Sequence, residues 1–189
     1  MPTLSNDNKE KRKQRAKQTA EVFTPPKLIK QMLNKLPKEV WKKGKTFLDP
    51  ACGNGNFLIS VLWRKLERGH DSLDALKSIY GVDIMKDNIQ ECRLRLLKLI
   101  SLYEDIEEEH VQTVFNNIIY INQNKHRGGS LDYDFAFNSN RQSKQNIDRW
   151  LENIKNGKLL EINLPIDETE IVNENCIDIF SENREENDN

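Results

Sequence analysis

Apolar residues recur at helical spacing early in the chain. Leu28, Ile29, Met32, Leu33 and Leu36 form one stripe over residues 27–36, opened by Pro25-Pro26 and closed by Pro37. Proline is tolerated in a first helical turn and ends a helix elsewhere, so the spacing predicts a helix there. Lys43-Gly44-Lys45 then turns the chain into a short apolar run, Thr46-Phe47-Leu48, which reads as a strand ending at Asp49. After a glycine-containing turn, Phe57, Leu58, Val61, Leu62 and Leu66 mark the inward face of a helix that stops near Gly69. Residues 73–76 are a short helical piece, and Ile79-Tyr80-Gly81-Val82-Asp83 is a second strand. Ile89, Cys92, Leu96 and Ile100 give the buried side of a long helix from about Lys86. This strand–helix alternation predicts an α/β fold with parallel strands and right-handed crossovers.

Beyond residue 100 the period weakens. Ile118-Ile119-Tyr120-Ile121 fits either a strand or a helix end. Residues 122–143 are rich in Asn, Gly, Gln and basic side chains and read as loop, apart from Tyr133-Asp134-Phe135-Ala136-Phe137. Residues 147–154 suggest a helix carrying Trp150 and Leu151, and residues 170–180 a final strand and turn. There is no internal repeat.

Composition narrows the class. A chain of 189 residues is one domain with room for a core. Its 31% charged residues and mean hydropathy of -0.76 place it at the polar end of globular proteins, with part of it solvated or disordered. No apolar run approaches the ~18 residues of a membrane span, and the N-terminus has no hydrophobic signal core. Cys52, Cys92 and Cys176 lack CxxC spacing and read as free thiols in a reducing cytosol, with no metal site. The expectation is a cytoplasmic protein with neither membrane nor metal partner. A net charge of -1 gives no global pull on nucleic acid, so such binding needs local patches. The basic run Lys9, Lys11, Arg12, Lys13, Arg15 and Lys17, opposed only by Glu10, admits two readings. It is either a solvated arm or a set of phosphate contacts, with Lys11, Arg12, Lys13 and Arg15 as the candidates. The chain therefore divides into a basic arm over residues 1–18, a folded domain over 19–180, and an acidic, disordered tail over 181–189.

The chemistry concentrates at residues 49–57, Asp49-Pro50-Ala51-Cys52-Gly53-Asn54-Gly55-Asn56-Phe57. A strand ends in a carboxylate, two glycines allow a tight turn and close backbone approach, and a helix starts with free N–H groups facing the turn. Neither GxGxxG nor GxxxxGK[ST] is present. A turn opening with a carboxylate suits a ligand with a cationic end, such as the ammonium and sulfonium of S-adenosylmethionine. Asp83 closes the next strand about thirty residues on, where an acid accepts from two ribose hydroxyls in dinucleotide folds. An aspartate there also serves as a helix cap. Thr24 before Pro25-Pro26 is likewise either a cofactor contact or a helix cap, and Cys52 reads as a small loop filler.

Residues 49–57 resemble the DPACGxGxF signature of amino-methylating (N6-adenine) DNA methyltransferases. Glu21-Val22-Phe23-Thr24-Pro25-Pro26 resembles the TPxxL segment of that family, and Ile79-Tyr80-Gly81-Val82-Asp83-Ile84 its second strand. The three lie in register over residues 18–97, about half the chain. The resemblance implies a Rossmann-like S-adenosylmethionine-dependent methyltransferase fold, compact or truncated, with a parallel sheet and flanking helices. It implies cofactor contacts from Phe23, Thr24, Asp49, Ala51, Gly53, Gly55, Asp83 and Ile84. Glu174-Asn175-Cys176-Ile177-Asp178 resembles the third-strand segment that lines the adenine, which adds Asn175.

One departure bears on catalysis. The family activates the exocyclic amine with a (D/N)PP(Y/F) segment, and proline occurs here only at 2, 25, 26, 37, 50 and 165. The nearest approach is Phe135-Ala136-Phe137-Asn138-Ser139-Asn140, with Asn138 as the candidate catalytic residue or else a plain loop asparagine. Two functions follow: an adenine-N6 DNA methyltransferase whose catalytic segment is degenerate or comes from another chain, and a non-catalytic cofactor-binding subunit or regulatory module. A half-sheet ending after its third strand predicts self-association or a partner chain that completes the sheet, with DNA as substrate or ligand.

Overall fold

The computed structural model describes residues 24–121, 135 and 137–166. Helix α1 (Pro26–Asn34) and a 3₁₀ turn (Lys38–Trp41) lead into strand β1 (Phe47–Asp49). There follow α2 (Asn56–Leu66), α3 (Ser72–Lys77), β2 (Ile79–Asp83), α4 (Lys86–Ile100), α5 (Glu108–Asn117), β3 (Ile118–Tyr120), α6 (Lys144–Lys155) and a 3₁₀ turn (Lys158–Glu161). The strands form one parallel sheet in the order β1-β2-β3. Asp49 lies opposite Gly81, and Asp83 opposite Tyr120, so β2 and β3 run two residues past the end of β1. The result is a small α/β fold with a three-stranded parallel sheet and flanking helices.

Alternation along the strands assigns the two faces. Ile79 and Gly81 face α2 and α4, whose Leu58, Ile59, Leu62, Ile89, Cys92 and Leu96 are all buried. Each fully buried Leu or Ile contributes roughly 1.5–3 kcal/mol. Packing here is so close that a Cβ on Gly81 would lie 2.6 Å from Leu58 Cδ1. On the other face, the Phe137 ring packs edge-on against Tyr80 at 4.9 Å, while Leu48 on β1 stays 48% exposed. Among the described residues the outer edge of β1 has no strand beside it.

Two cations inside this core, Lys65 and Arg93, are matched by acceptors. Lys65 is buried, and its ammonium donates to Ser78 Oγ at 2.6 Å and to the Lys45 carbonyl at 2.7 Å. Arg93 donates twice to the Ile118 carbonyl, at 3.1 and 2.6 Å, with its guanidinium 4.2 Å from the Phe115 ring centre. Burial lowers both pKa values, that of Arg93 to about 10. These bonds satisfy charges that are otherwise costly to desolvate.

One reading left open by the sequence is decided, and one feature differs from the expectation. The third strand is Ile118–Tyr120, delivered beside β2 by helix α5, whose Val111, Val114 and Phe115 are buried. The segment at 174–178 lies outside the described residues. Of the α1 stripe, only Ile29 and Leu33 are buried against α2, and Leu28 and Met32 are each 47% exposed. The stripe is wide enough for two neighbours, and among the described residues it packs against one.

Candidate functional site

The carboxyl ends of β1 and β2 carry the loop that the sequence singles out. The Cys52 amide donates to the Val82 carbonyl and the Gly55 amide to the Cys52 carbonyl, both at 2.9 Å. Gly53 and Gly55 take φ of 52° and 90°, a region that favours glycine. Gly55 is the residue before α2, so the first amides of that helix open onto the loop.

Asp83 clamps this loop from the next strand. Its Oδ2 accepts from the Gly53 amide at 2.9 Å and its Oδ1 from the Met85 amide at 2.7 Å. A carboxylate has about four lone-pair positions, so acceptor capacity remains on the open side. Asp49 Oδ1 accepts from the Ala51 amide at 3.1 Å. Burial pushes the Asp49 carboxyl above its ordinary value, the Ala51 amide opposes this, and the nearby Asp83 charge adds to it. Two carboxylates thus face one loop, and a cation between them relieves both burial and repulsion.

A second layer fixes the loop shape. Arg95 Nη1 donates to the Asn54 carbonyl at 2.9 Å and to Asn56 Oδ1 at 2.8 Å, and its Nε donates to the Asn163 carbonyl at 2.9 Å. Asn56 Nδ2 donates to the Thr24 carbonyl at 3.2 Å, and Asn54 Nδ2 to Glu91 Oε1 at 2.9 Å. The chain before α1, the glycine loop, α4 and the segment after α6 are therefore tied to one point. Asn54 Oδ1 is buried with no donor among the described residues. Below the loop sit the free, buried thiols of Cys52 and Cys92. The hydrogen bond between them, and then burial, push the Cys52 thiol far up, so it is a neutral filler.

Past Asp83 the surface opens into a cavity of about 850 Å³ lined by Ile84, Met85, Glu91, Leu94 and Tyr120, among others. Ile84 is 43% exposed and Tyr120 38%, two apolar faces at neighbouring strand ends. No group of three or more His, Cys, Asp or Glu suited to a metal ion occurs among the described residues.

The structure gathers Thr24, Asp49, Ala51, Gly53, Gly55, Asp83 and Ile84 at this end of the sheet. Asn138 is elsewhere. Its amide donates to the Asn116 carbonyl at 3.2 Å, just before β3 begins, so it stands at the amino end of the strands. It is exposed, with φ of 67°. Phe23, Asn175, Lys11, Arg12, Lys13 and Arg15 lie outside the described residues. The sequence reading missed Tyr120, Asn56, Glu91 and Arg95. The signal for Arg95 is a cation at an inward position, three residues after Cys92 and beside Leu96.

This geometry agrees with the family to which the sequence is matched. The chain belongs to the N-6 DNA methylase family, whose model matches residues 9–156, and it is DNA-methyltransferase-like in general function. No curated protein and no solved structure matches it. Among the described residues no helix is long and apolar enough to cross a membrane.

Proposed function

We propose that this chain binds S-adenosylmethionine in a Rossmann-like methyltransferase domain over residues 19–180, between a basic arm at 1–18 and an acidic tail at 181–189, and serves adenine-N6 methylation of DNA in the cytoplasm. The observation that carries the reading is the convergence of Asp49 and Asp83 on one glycine loop, next to a cavity that runs between Ile84 and Tyr120. The residues present fit the cofactor. Asp49 and the loop would hold its ammonium end, with Thr24 and Phe23 beside it. The free acceptor positions of Asp83 would take the ribose hydroxyls, and Ile84, Tyr120 and Asn175 would flank the adenine. When bound, the cofactor supplies an electrophilic methyl group.

The chain's own part is to bind and orient. Gly53 and Gly55 let the backbone approach, and Gly55 also seats the loop on the core beneath it, where an added Cβ would meet Cys92 Sγ at 2.5 Å. Arg95 and Asn56 hold the loop and the Thr24 carbonyl in register. Deprotonating an exocyclic amine needs a second set of acceptors, and these 189 residues contain no Asn-Pro-Pro or Asp-Pro-Pro.

The outer edge of β1 favours a second reading, a cofactor-binding subunit whose amine-activating segment comes from a partner. The edge of β1, which has no strand beside it among the described residues, and the exposed Leu48 are where a completing strand would sit. Calorimetry with S-adenosylhomocysteine tests the shared core of both readings: micromolar or tighter binding is expected, and none would refute them. Tritium transfer from labelled cofactor to adenine-containing DNA separates them, because turnover by a monomer excludes the subunit reading.

A further inference from the structure

The chain carries a net charge of -1, yet residues 27–45 hold seven lysines against the single acid Glu39. All seven are exposed, and among the described residues only Lys43 is ion-paired, to Asp74 at 2.7 Å. They are not scattered. Lys27, Lys30 and Asn34 share one face of α1 at spacings of three and four. Arg64 of α2 reaches across to that face, its Nη2 donating to the Lys30 carbonyl at 3.2 Å and to Asn34 Oδ1 at 2.6 Å. Arg68 continues the line, donating to the Arg64 carbonyl at 2.8 Å. Both guanidinium groups stand over the Trp41 ring, at 5.7 and 4.8 Å, in the turn that bears Lys38 and Lys42. Burial, and then the charge of Arg68, lower the pKa of Arg64, and the charge of Glu67 opposes them. Glu39 and Glu67 are the acids nearest this row in sequence.

From this row we infer that the flank made by α1, the 3₁₀ turn and the end of α2 binds the phosphate backbone of duplex DNA without reading its sequence. A row suits a polymer better than a small anion. The nine residues of α1 span about 13 Å, which is some four phosphate steps of one strand at 3.4 Å each. Two arginines crowded on one ring are relieved by an anion, and aromatic backing keeps their planes presented outward. Lys27 stands three residues after Thr24, so the track leads off from the candidate cofactor site. Only the choice of polymer rests on the family membership. These residues are distinct in sequence from the basic run at residues 9–17.

Fluorescence anisotropy on a labelled 24-base-pair duplex, over a series of sodium chloride concentrations, tests the assignment. The triple variant Lys30→Gln/Lys38→Gln/Lys42→Gln should weaken binding about tenfold or more at low salt and reduce the salt slope by about 2–3, near 0.9 for each phosphate no longer neutralised. The same weakening should appear in a chain lacking residues 1–17. The control Lys155→Gln/Lys158→Gln should change neither quantity. An unchanged slope in the triple variant, an equal effect in the control, or tighter binding of a double-stranded RNA of the same length would overturn the proposal. S-adenosylhomocysteine titration of the triple variant should match wild type. If wild type fails to bind that ligand while the DNA slope behaves as stated, the cofactor reading falls and this one stands.

Discussion

The Gly53 amide donates to Asp83 Oδ2 at 2.9 Å, joining the first turn of the fold to the end of its second strand across thirty residues. The other oxygen of Asp83 caps the next turn through the Met85 amide. Asp83 is thus a clamp on the loop itself as well as the acid proposed to meet a ribose.

Removing the clamp should cost stability before any ligand is added. Asp83→Ala is expected to lower the unfolding free energy by about 1.5–3 kcal/mol, the range for hydrogen bonds to a charged group. Urea unfolding measures it, and a variant as stable as wild type would show that the loop holds itself.

Asp49 should behave in the opposite way. Its raised pKa means that the folded chain holds the carboxyl proton more tightly than the unfolded chain does. Stability therefore falls as pH rises from the ordinary value of 3.8 through the folded value, and the penalty is complete above it. Asp49→Asn should melt higher than wild type at pH 7, with the gap closing below pH 3.8, and should bind S-adenosylhomocysteine more weakly. Thermal melts across pH decide it; a variant less stable at pH 7 contradicts the argument.

Gly55 and Cys92 should be energetically coupled. Gly55→Ala places a Cβ in left-handed backbone, a cost of about 1–2 kcal/mol, and drives it to 2.5 Å from Cys92 Sγ. Cys92→Ala removes the sulfur but not the backbone strain. A double-mutant cycle should therefore show partial rescue, with a coupling of at least about 0.5 kcal/mol; strict additivity would mean the clash is relieved by a shift.

Arg95 should matter to the loop more than to the rest of α4. Arg95→Met leaves the carbonyls of Asn54 and Asn163 and the Asn56 side chain without this donor, at about 1–3 kcal/mol for each that finds no water. Amide exchange should quicken at residues 53–56 and 159–164 together. Quickening at one segment alone would show that Arg95 does not couple them.

The glycine loop, β2 and α4 are legible in the sequence because spacing and chemistry coincide there. Ile89, Cys92, Leu96 and Ile100 have one possible inward face, and Asp49 and Asp83 each end an apolar run. Strand β3 is legible only as one of two readings, since three residues have no period. Its place is fixed by non-local contacts, Arg93 on the Ile118 carbonyl and α5 against the sheet. Asn138 shows the same limit from the other side. An asparagine after aromatic residues resembles a catalytic strand end, yet Phe137 packs on Tyr80 and Asn138 on Asn116, at the far end of the sheet. Tyr120 enters the site only through its register with Asp83, which no local pattern specifies.

Among the described residues both strand pairings are parallel, so no hairpin joins these strands. Each pairing must close a long crossover first, and such non-local contacts form slowly because loop-closure entropy is met before they reward it. During synthesis the glycine loop is made thirty residues ahead of the acid that clamps it. A nascent chain arrested short of Asp83 would carry the whole signature loop and still lack its shape. Ligand capture by such arrested chains would then mark the moment of maturation, appearing only after β2 has docked beside β1.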